Sequence, residues 1–225
     1  DEQKNILAIG NGFAFERVDK QAAKTLDDIY YTTNWEKITL KNNLNSSEDV
    51  LIIHNNSSAE ILYQNFLEHN IKCNFLDIAS FSVNDFQQAL SAHKDSKKQI
   101  IFILDKLQES NSIEEIQYKQ ERQVLAVVNL IQAINQISFS NLPRLWLVTQ
   151  QGQQIIENEI IIAEQHQVSA FCRVAWNEHY ELKPSTIDII NDDALRIIPL
   201  IIAEHNNENE IAIRNNEVYV SRLVN

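Results

Sequence analysis

The sequence predicts an α/β domain, a parallel sheet with helices on both faces and a C-terminal β-hairpin. Three observations lead there. Apolar, β-branched runs at residues 50–54, 99–104 and 145–149 have the length of strands, and they are too uniformly apolar to keep one face in water. Between them lie stretches of ten or more residues whose apolar positions recur every three or four, as amphipathic helices require. Strand and helix then alternate along most of the chain, and parallel strands need such crossovers.

Residues 5–9 form a short apolar run ending at Gly10-Asn11-Gly12, and the alternation on either side of that turn predicts a hairpin. Residues 19–28 read as a short helix or a linker. Tyr30 to Ile38 is aromatic and β-branched, hence extended, and 41–49 is a polar Asn/Ser loop. A strand at 50–54, a helix at 57–68, a strand at 71–76, a helix at 83–93 and a strand at 99–104 follow. The long helix expected over 112–137 opens with Ser112-Ile113-Glu114-Glu115, close to a capping box. The strand at 145–149 ends in Gln150-Gln151-Gly152. The later part of 160–176 is helical, with Val168, Phe171, Cys172 and Ala175 on one face. A strand at 186–190, a helix over 192–203 and two strands at 210–214 and 217–221, turning at Asn215-Asn216, complete a Rossmann-like three-layer domain.

A chain of 225 residues and 26.0 kDa suits one large domain, or one domain with an N-terminal appendage. Its formal charge of −12 and pI near 4.9 disfavour a nucleic-acid backbone or an anionic lipid surface as partner. The charge is spread rather than blocked, which reads as solubility. No apolar run approaches the roughly 20 residues of a membrane span, and Asp1-Glu2-Gln3-Lys4 opens no basic-then-apolar signal. A cytoplasmic protein is expected. Cys73 and Cys172 each sit among apolar residues and read as buried free thiols.

The search for chemistry is constrained by glycine, of which the chain has 3. Loops that cradle phosphates need glycine so that the backbone can approach closely. After Gly10-Asn11-Gly12 the position that should be small is Phe15. The first βα unit ends in Asn55-Asn56-Ser57-Ser58, a side chain at every position, and its serines suit a helix N-cap. Tyr30 and Asn34 match a Tyr-x-x-x-Asn spacing, but in an extended segment where no active-site helix can lie. The histidines His54, His69, His93, His166, His179 and His205 form no metal-binding spacing with one another or with cysteine. Glu178 and His179 are neighbours on a helix and do not face each other. No Gly-x-Ser-x-Gly occurs. Arg173 is a charge within an apolar helix face and Asp188 a carboxylate within a strand. Each is expected to be held by a hydrogen-bonded partner, the other being one candidate, because a buried charge must be paired. A substrate clamp is the alternative.

Taken together, Tyr31-x-x-x-Trp35, then Arg144-Leu145-Trp146-Leu147-Val148-Thr149-Gln150-x-Gly152, then Arg173-Val174 ahead of Glu178-His179-x-Glu181-Leu182 and Asp188, and finally Glu210-x-Ala212-x-Arg214 and Tyr219-Val220-x-Arg222-Leu223 form an ordered set. The set resembles the N-terminal structural subdomain of ketoreductases from modular type I polyketide synthases. The resemblance runs from about residue 30 to 225. Residues 1–29, with Phe13-x-Phe15-x-Arg17-Val18-Asp19, are similar to the tail and linker of an upstream dehydratase-like domain. Departures are Tyr180 where the family usually has Pro, Asn215-Asn216 where a Gly is usual, and Phe171-Cys172 where the helix usually carries a Gly.

The resemblance implies a truncated Rossmann-like fold with a degenerate cofactor site. Such a subdomain binds no cofactor and braces the NADPH-binding catalytic subdomain that follows it in the same polypeptide. The family's phosphate loop and Ser/Tyr/Asn set lie C-terminal to the position of Arg222-Leu223. The resemblance therefore implies no catalytic, cofactor-binding or metal residue in this stretch, and NADPH only in the parent. Structural or interface roles go to Tyr31, Trp35, Trp146, Arg173, Glu178, Asp188, Arg214, Tyr219 and Arg222. The implied partners are the catalytic subdomain and neighbouring polyketide synthase domains. Alternatives are a pseudo-ketoreductase scaffold beside a methyltransferase or enoyl reductase domain, a stand-alone nucleotide-binding enzyme, and a protein-interaction module.

Overall fold

The computed structural model describes residues 30–40, 49–54, 58–78, 80–95, 99–105, 112–204 and 207–225. In chain order these form β1 (Thr32–Ile38), β2 (Asp49–His54), α1 (Ser58–Glu68), β3 (Lys72–Asp77), α2 (Val83–Ser91), β4 (Gln99–Ile103) and α3 (Ile113–Gln136). Then come β5 (Arg144–Gln150), α4 (Ala163–Glu178), β6 (Ser185–Ile189), a 3₁₀ segment (Asp192–Ile197), α5 (Ile198–Ala203), β7 (Glu210–Arg214) and β8 (Glu217–Val224). The expected hairpin at 5–18, the helix or linker at 19–28 and all but the last residue of the loop expected over 41–49 lie outside the described residues, and Asp49 begins β2.

The chain divides into two compact units, one of Asp1–Thr33 with Leu223–Asn225, the other of Asn34–Arg222. In the first unit the described residues are 30–33 and 223–225, with Tyr30, Tyr31 and Leu223 exposed. Everything that follows concerns the second.

The strands form one open 8-stranded sheet in the order β1-β8-β7-β6-β5-β4-β2-β3. From β3 to β7 every pairing is parallel, and β8 returns antiparallel to β7. Strands β2, β4 and β6 are buried along their whole length, which is why β2 and β4 read as mostly apolar runs, whereas β6 carries Ser185, Thr186 and Asp188. Their side chains still alternate. Val50 and Ile52 of β2, Ile101 and Ile103 of β4 and Trp146 and Val148 of β5 share one core with α1 and α5. Leu51, Ile53, Ile100, Phe102, Leu145 and Leu147 share the other with α2, α3 and α4.

The chain leaves β2 for β3 on one side and returns to β4 on the other. The order therefore reverses at β2, and the carboxyl ends of β2 and β4 form the switch point where open α/β sheets bind ligands.

Local chemistry explains the element ends. The Ser112 hydroxyl accepts the Glu115 amide at 3.1 Å, capping α3 as its sequence suggests. Residues 192–203, expected as one helix, are a 3₁₀ segment running into a short α-helix with Pro199 in its first turn. A proline there has no N–H to continue the ladder from the preceding turn. Asn215 and Asn216 take φ of 50° and 63°, the paired positive angles of a two-residue hairpin turn between Arg214 and Glu217. Replacing Asn216 with a β-branched residue strains that turn. Asn216→Val is expected to lower stability by about 1–2 kcal/mol, read as a shift in the urea midpoint with unchanged slope.

Candidate functional site

Three neighbouring strands end at the same edge of the sheet with polar residues facing the α4 layer. Thr149 of β5 pairs in register with Asp188 of β6, and Asp188 with Ala212 of β7, two residues before Arg214. The Asp188 carboxylate is fully buried. Its Oδ1 accepts the Thr149 hydroxyl at 2.7 Å and the Gly152 amide at 2.7 Å. Its Oδ2 accepts Arg214 Nη2 at 2.7 Å. Arg214, also buried, gives its remaining donors to the Asp188 carbonyl at 3.1 Å, the Ile213 carbonyl at 3.0 Å, the Gln153 carbonyl at 2.8 Å and Glu159 Oε1 at 2.8 Å. All five guanidinium N–H groups are thereby used.

This clasp draws the β5–α4 loop down over the strand ends. Gly152 is the residue that permits it. A Cβ there would lie 3.1 Å from Asp188 Oδ1 and 3.1 Å from the Gln165 carbonyl oxygen, closer than a side chain normally approaches. Burial pushes the Asp188 carboxyl above the ordinary aspartate range, while Arg214, Thr149 and the Gly152 amide pull it back. A carboxylate so engaged and enclosed can reach no substrate proton.

At the switch point the chain supplies its own anion. Ser58, the first residue of α1, is buried and donates its hydroxyl to Asp192 Oδ1 at 3.2 Å. A dinucleotide phosphate at this helix start would need bare amides and a favourable field. It would meet a carboxylate instead. The described residues here do not fit a nicotinamide dinucleotide. Among the described residues no three His, Cys, Asp or Glu side chains gather where they could hold a metal ion.

At the opposite edge of the sheet a groove of about 410 Å³ lies between α4 and the start of β7. Arg173 pairs with Glu210 there, Nη2 to Oε2 at 2.8 Å with a second contact from Nε. Arg222 pairs with Glu208 through both Nη atoms at 2.7 and 2.6 Å. Cys172 borders the groove, but burial pushes its thiol up to about 12, which leaves it protonated and unreactive.

The residues singled out in the sequence thus fall into separate groups. Asp188 and Arg214 meet in the clasp. Trp146 is buried, donates its indole N–H to Gln99 Oε1 at 2.8 Å and carries the Arg144 guanidinium 3.9 Å above its ring. Tyr219 donates to Glu217 at 2.9 Å, and Lys37 pairs with the same carboxylate at 2.6 Å. Trp35 is half-buried, and Tyr31 and Glu178 are exposed. Arg173 does not bond Asp188. Its side chain is 54% exposed, because position 173 on α4 points away from the sheet, toward Glu210. Glu159, in the loop after β5, and Asp192, at the start of the 3₁₀ segment after β6, carry no sequence signal beyond being acids that follow strands. Arg214 entered the sequence reading only through the Glu210-x-Ala212-x-Arg214 motif.

A scan against known family models finds none that matches. The phenolphthiocerol/phthiocerol polyketide synthase subunits C of Mycobacterium tuberculosis and Mycobacterium bovis are each 28% identical over 102 residues, 44% of this chain and 5% of theirs. Solved structures match over far more of it. The first ketoreductase of the tylosin polyketide synthase is 16% identical with a TM-score of 0.64, over 86% of this chain and 40% of that one. A C2-type ketoreductase from a modular polyketide synthase reaches 0.67 at 18% identity, over 86% and 43%. The fold is that of polyketide synthase ketoreductases. A non-ribosomal peptide synthetase module with adenylation, ketoreductase and pseudo-Asub domains gives 0.69 at 14% identity, over 86% and 18%. The chain spans about two fifths of the single ketoreductases it matches.

Arg214→Ala leaves two carboxylates without their cation and is expected to cost about 3–5 kcal/mol in urea unfolding. Arg214→Lys recovers little of that, since an ammonium cannot make the planar set of bonds. Gly152→Ala is expected to cost about 1–3 kcal/mol by overpacking. Arg173→Ala, at an exposed pair, costs about 1 kcal/mol or less. Because the folded pKa of Asp188 is raised, its contribution is full below the ordinary aspartate range and is lost as pH rises through the folded value. Asp188→Asn should remove that acid-side slope from the stability–pH curve.

Proposed function

We propose that this chain is a non-catalytic structural subdomain of a polyketide synthase ketoreductase, bracing an NADPH-binding catalytic subdomain in the same polypeptide. The observation that carries the reading is the clasp. The edge of the sheet where an open α/β enzyme holds its reacting groups is filled by Asp188, Arg214, Thr149 and Glu159, each bonded to the others or to backbone. Side chains at the switch point, with Asp192 against Ser58, support it from the other half of the same edge. A fold kept intact while its ligand edge is sealed serves as a frame.

On this reading NADPH and ketone reduction belong to the parent, a multienzyme acting in the cytoplasm, with further synthase domains as neighbours. Residues 1–29 connect to an upstream domain, and residues 30–225 are the subdomain. Trp35, Trp146, Tyr219 and Arg222 hold the frame, and Arg173 with Glu178 belongs to its outer surface. A GDP-L-fucose synthetase from Naegleria fowleri bound to NADP has the same general fold at 9% identity and a TM-score of 0.55. The nucleotide in that protein lends no support to a site here, given the residues at the switch point.

The isolated chain is expected to oxidise no NADPH in the presence of a β-ketoacyl thioester, whereas the parent polypeptide does so. Turnover by the isolated chain would overturn the assignment. In the parent, Trp35→Ala is expected to lower soluble yield and Tm while turnover per mole of folded enzyme stays within about twofold. Selective loss of turnover in a fully soluble variant would place Trp35 in the chemistry instead.

A further inference from the structure

We infer that the β5–α4 loop, residues 151–162, is a docking surface for the catalytic subdomain of the same polypeptide, with Ile156, Ile160 and Ile161 as its contact residues. The inference rests on the structural-subdomain reading above. Surface loops are ordinarily polar, yet this one carries Ile155, Ile156, Ile160, Ile161 and Ile162. Three of the five face solvent, Ile156 at 39%, Ile160 at 65% and Ile161 at 40% exposure. A turn closed by the Glu159 amide on the Ile156 carbonyl at 3.3 Å sets Ile156 and Ile160 on either side of it.

The loop is fastened along its length. Gln151 donates its amide to the Ile189 carbonyl at 2.9 Å, and Ile162 donates to the Gln151 carbonyl at 2.8 Å. In between, Gly152 is held by Asp188, Gln153 and Glu159 by Arg214, and the Ile155 amide by Glu159 Oε2 at 3.0 Å. Apolar side chains on a frame already ordered lose little entropy when a partner covers them. A patch of this kind marks an interaction site.

The occupant follows from length and charge. The ketoreductase structures matched over 86% of this chain have only 40–43% of their own length in the match, so more than half of each lies beyond it. A second copy of this chain would bring a formal charge of −12 against −12. Exposed Glu157 beside the isoleucines calls for an apolar surface with a basic rim.

Hydrogen–deuterium exchange on the intact parent tests this, with the isolated chain as reference. Amides of residues 154–161 are expected to exchange at least tenfold more slowly in the parent. The Ile156→Asp/Ile160→Asp variant of the parent should lose that protection, whereas Ile61→Asp, on the exposed face of α1, should keep it. Equal exchange in parent and isolated chain overturns the inference. So does protection that appears in the isolated chain as its concentration rises, which assigns the patch to a second copy. Ketone reduction by the same parent preparation separates the two readings. A parent that reduces ketones with the loop unprotected refutes the docking surface alone, and a parent whose further sequence holds no reductase refutes the function it rests on.

Discussion

Asp188 and Arg214 face each other from adjacent strands with almost no solvent contact, and the carboxyl edge of the sheet is arranged around them. A buried ion pair is weak evidence for stability by itself, because desolvating two charges offsets much of their attraction. Its consequence here is positional. The pair and the bonds that complete it reach Thr149 on β5, Gly152 and Gln153 at the start of the loop, and Glu159 near its far end. Ile or Leu in place of both residues could fill the same volume. Neither could pin a loop of twelve residues over three strand ends.

The rest of the fold makes that edge rigid. Five parallel pairings run from β3 to β7, and β2, β4 and β6 are buried along their whole length. Helices α3 and α4 cover the face on which Asp188 lies, and α1 with α5 covers the other. The antiparallel β8, turned by Asn215 and Asn216, borders β7, the strand that carries Arg214. The carboxyl edge of the sheet is therefore closed by the protein's own groups, Asp188, Arg214, Thr149 and Glu159.

Most of the layer architecture was legible in the sequence because burial on both faces writes strands such as Leu145–Val148 as unbroken apolar runs, and amphipathic helices write their own period. The hairpin was legible because two asparagines tolerate positive φ. The helix expected over 192–203 changes character because Pro199 interrupts it, a signal present in the sequence but outweighed by the apolar run around it. The candidate site was only half legible. Asp188 stood out as a carboxylate within a strand, whereas Arg214 entered only as part of the Glu210-x-Ala212-x-Arg214 motif. Periodicity gives no register between strands, so the pairing of Asp188 with Arg214 rather than Arg173 emerges only from the sheet. Glu159 and Asp192 act through tertiary placement, and an acid that follows a strand looks the same whether it is solvated or essential.

The central claim is that the protein's own side chains close its ligand edge. Calorimetric titration of the isolated chain with NADPH tests it most directly. The account predicts no saturable heat at concentrations up to about 1 mM, a ceiling that excludes any binding stronger than about −4 kcal/mol. Stoichiometric binding with a micromolar Kd, abolished by Ser58→Asp, would contradict it and would mean that the switch point opens to admit a dinucleotide.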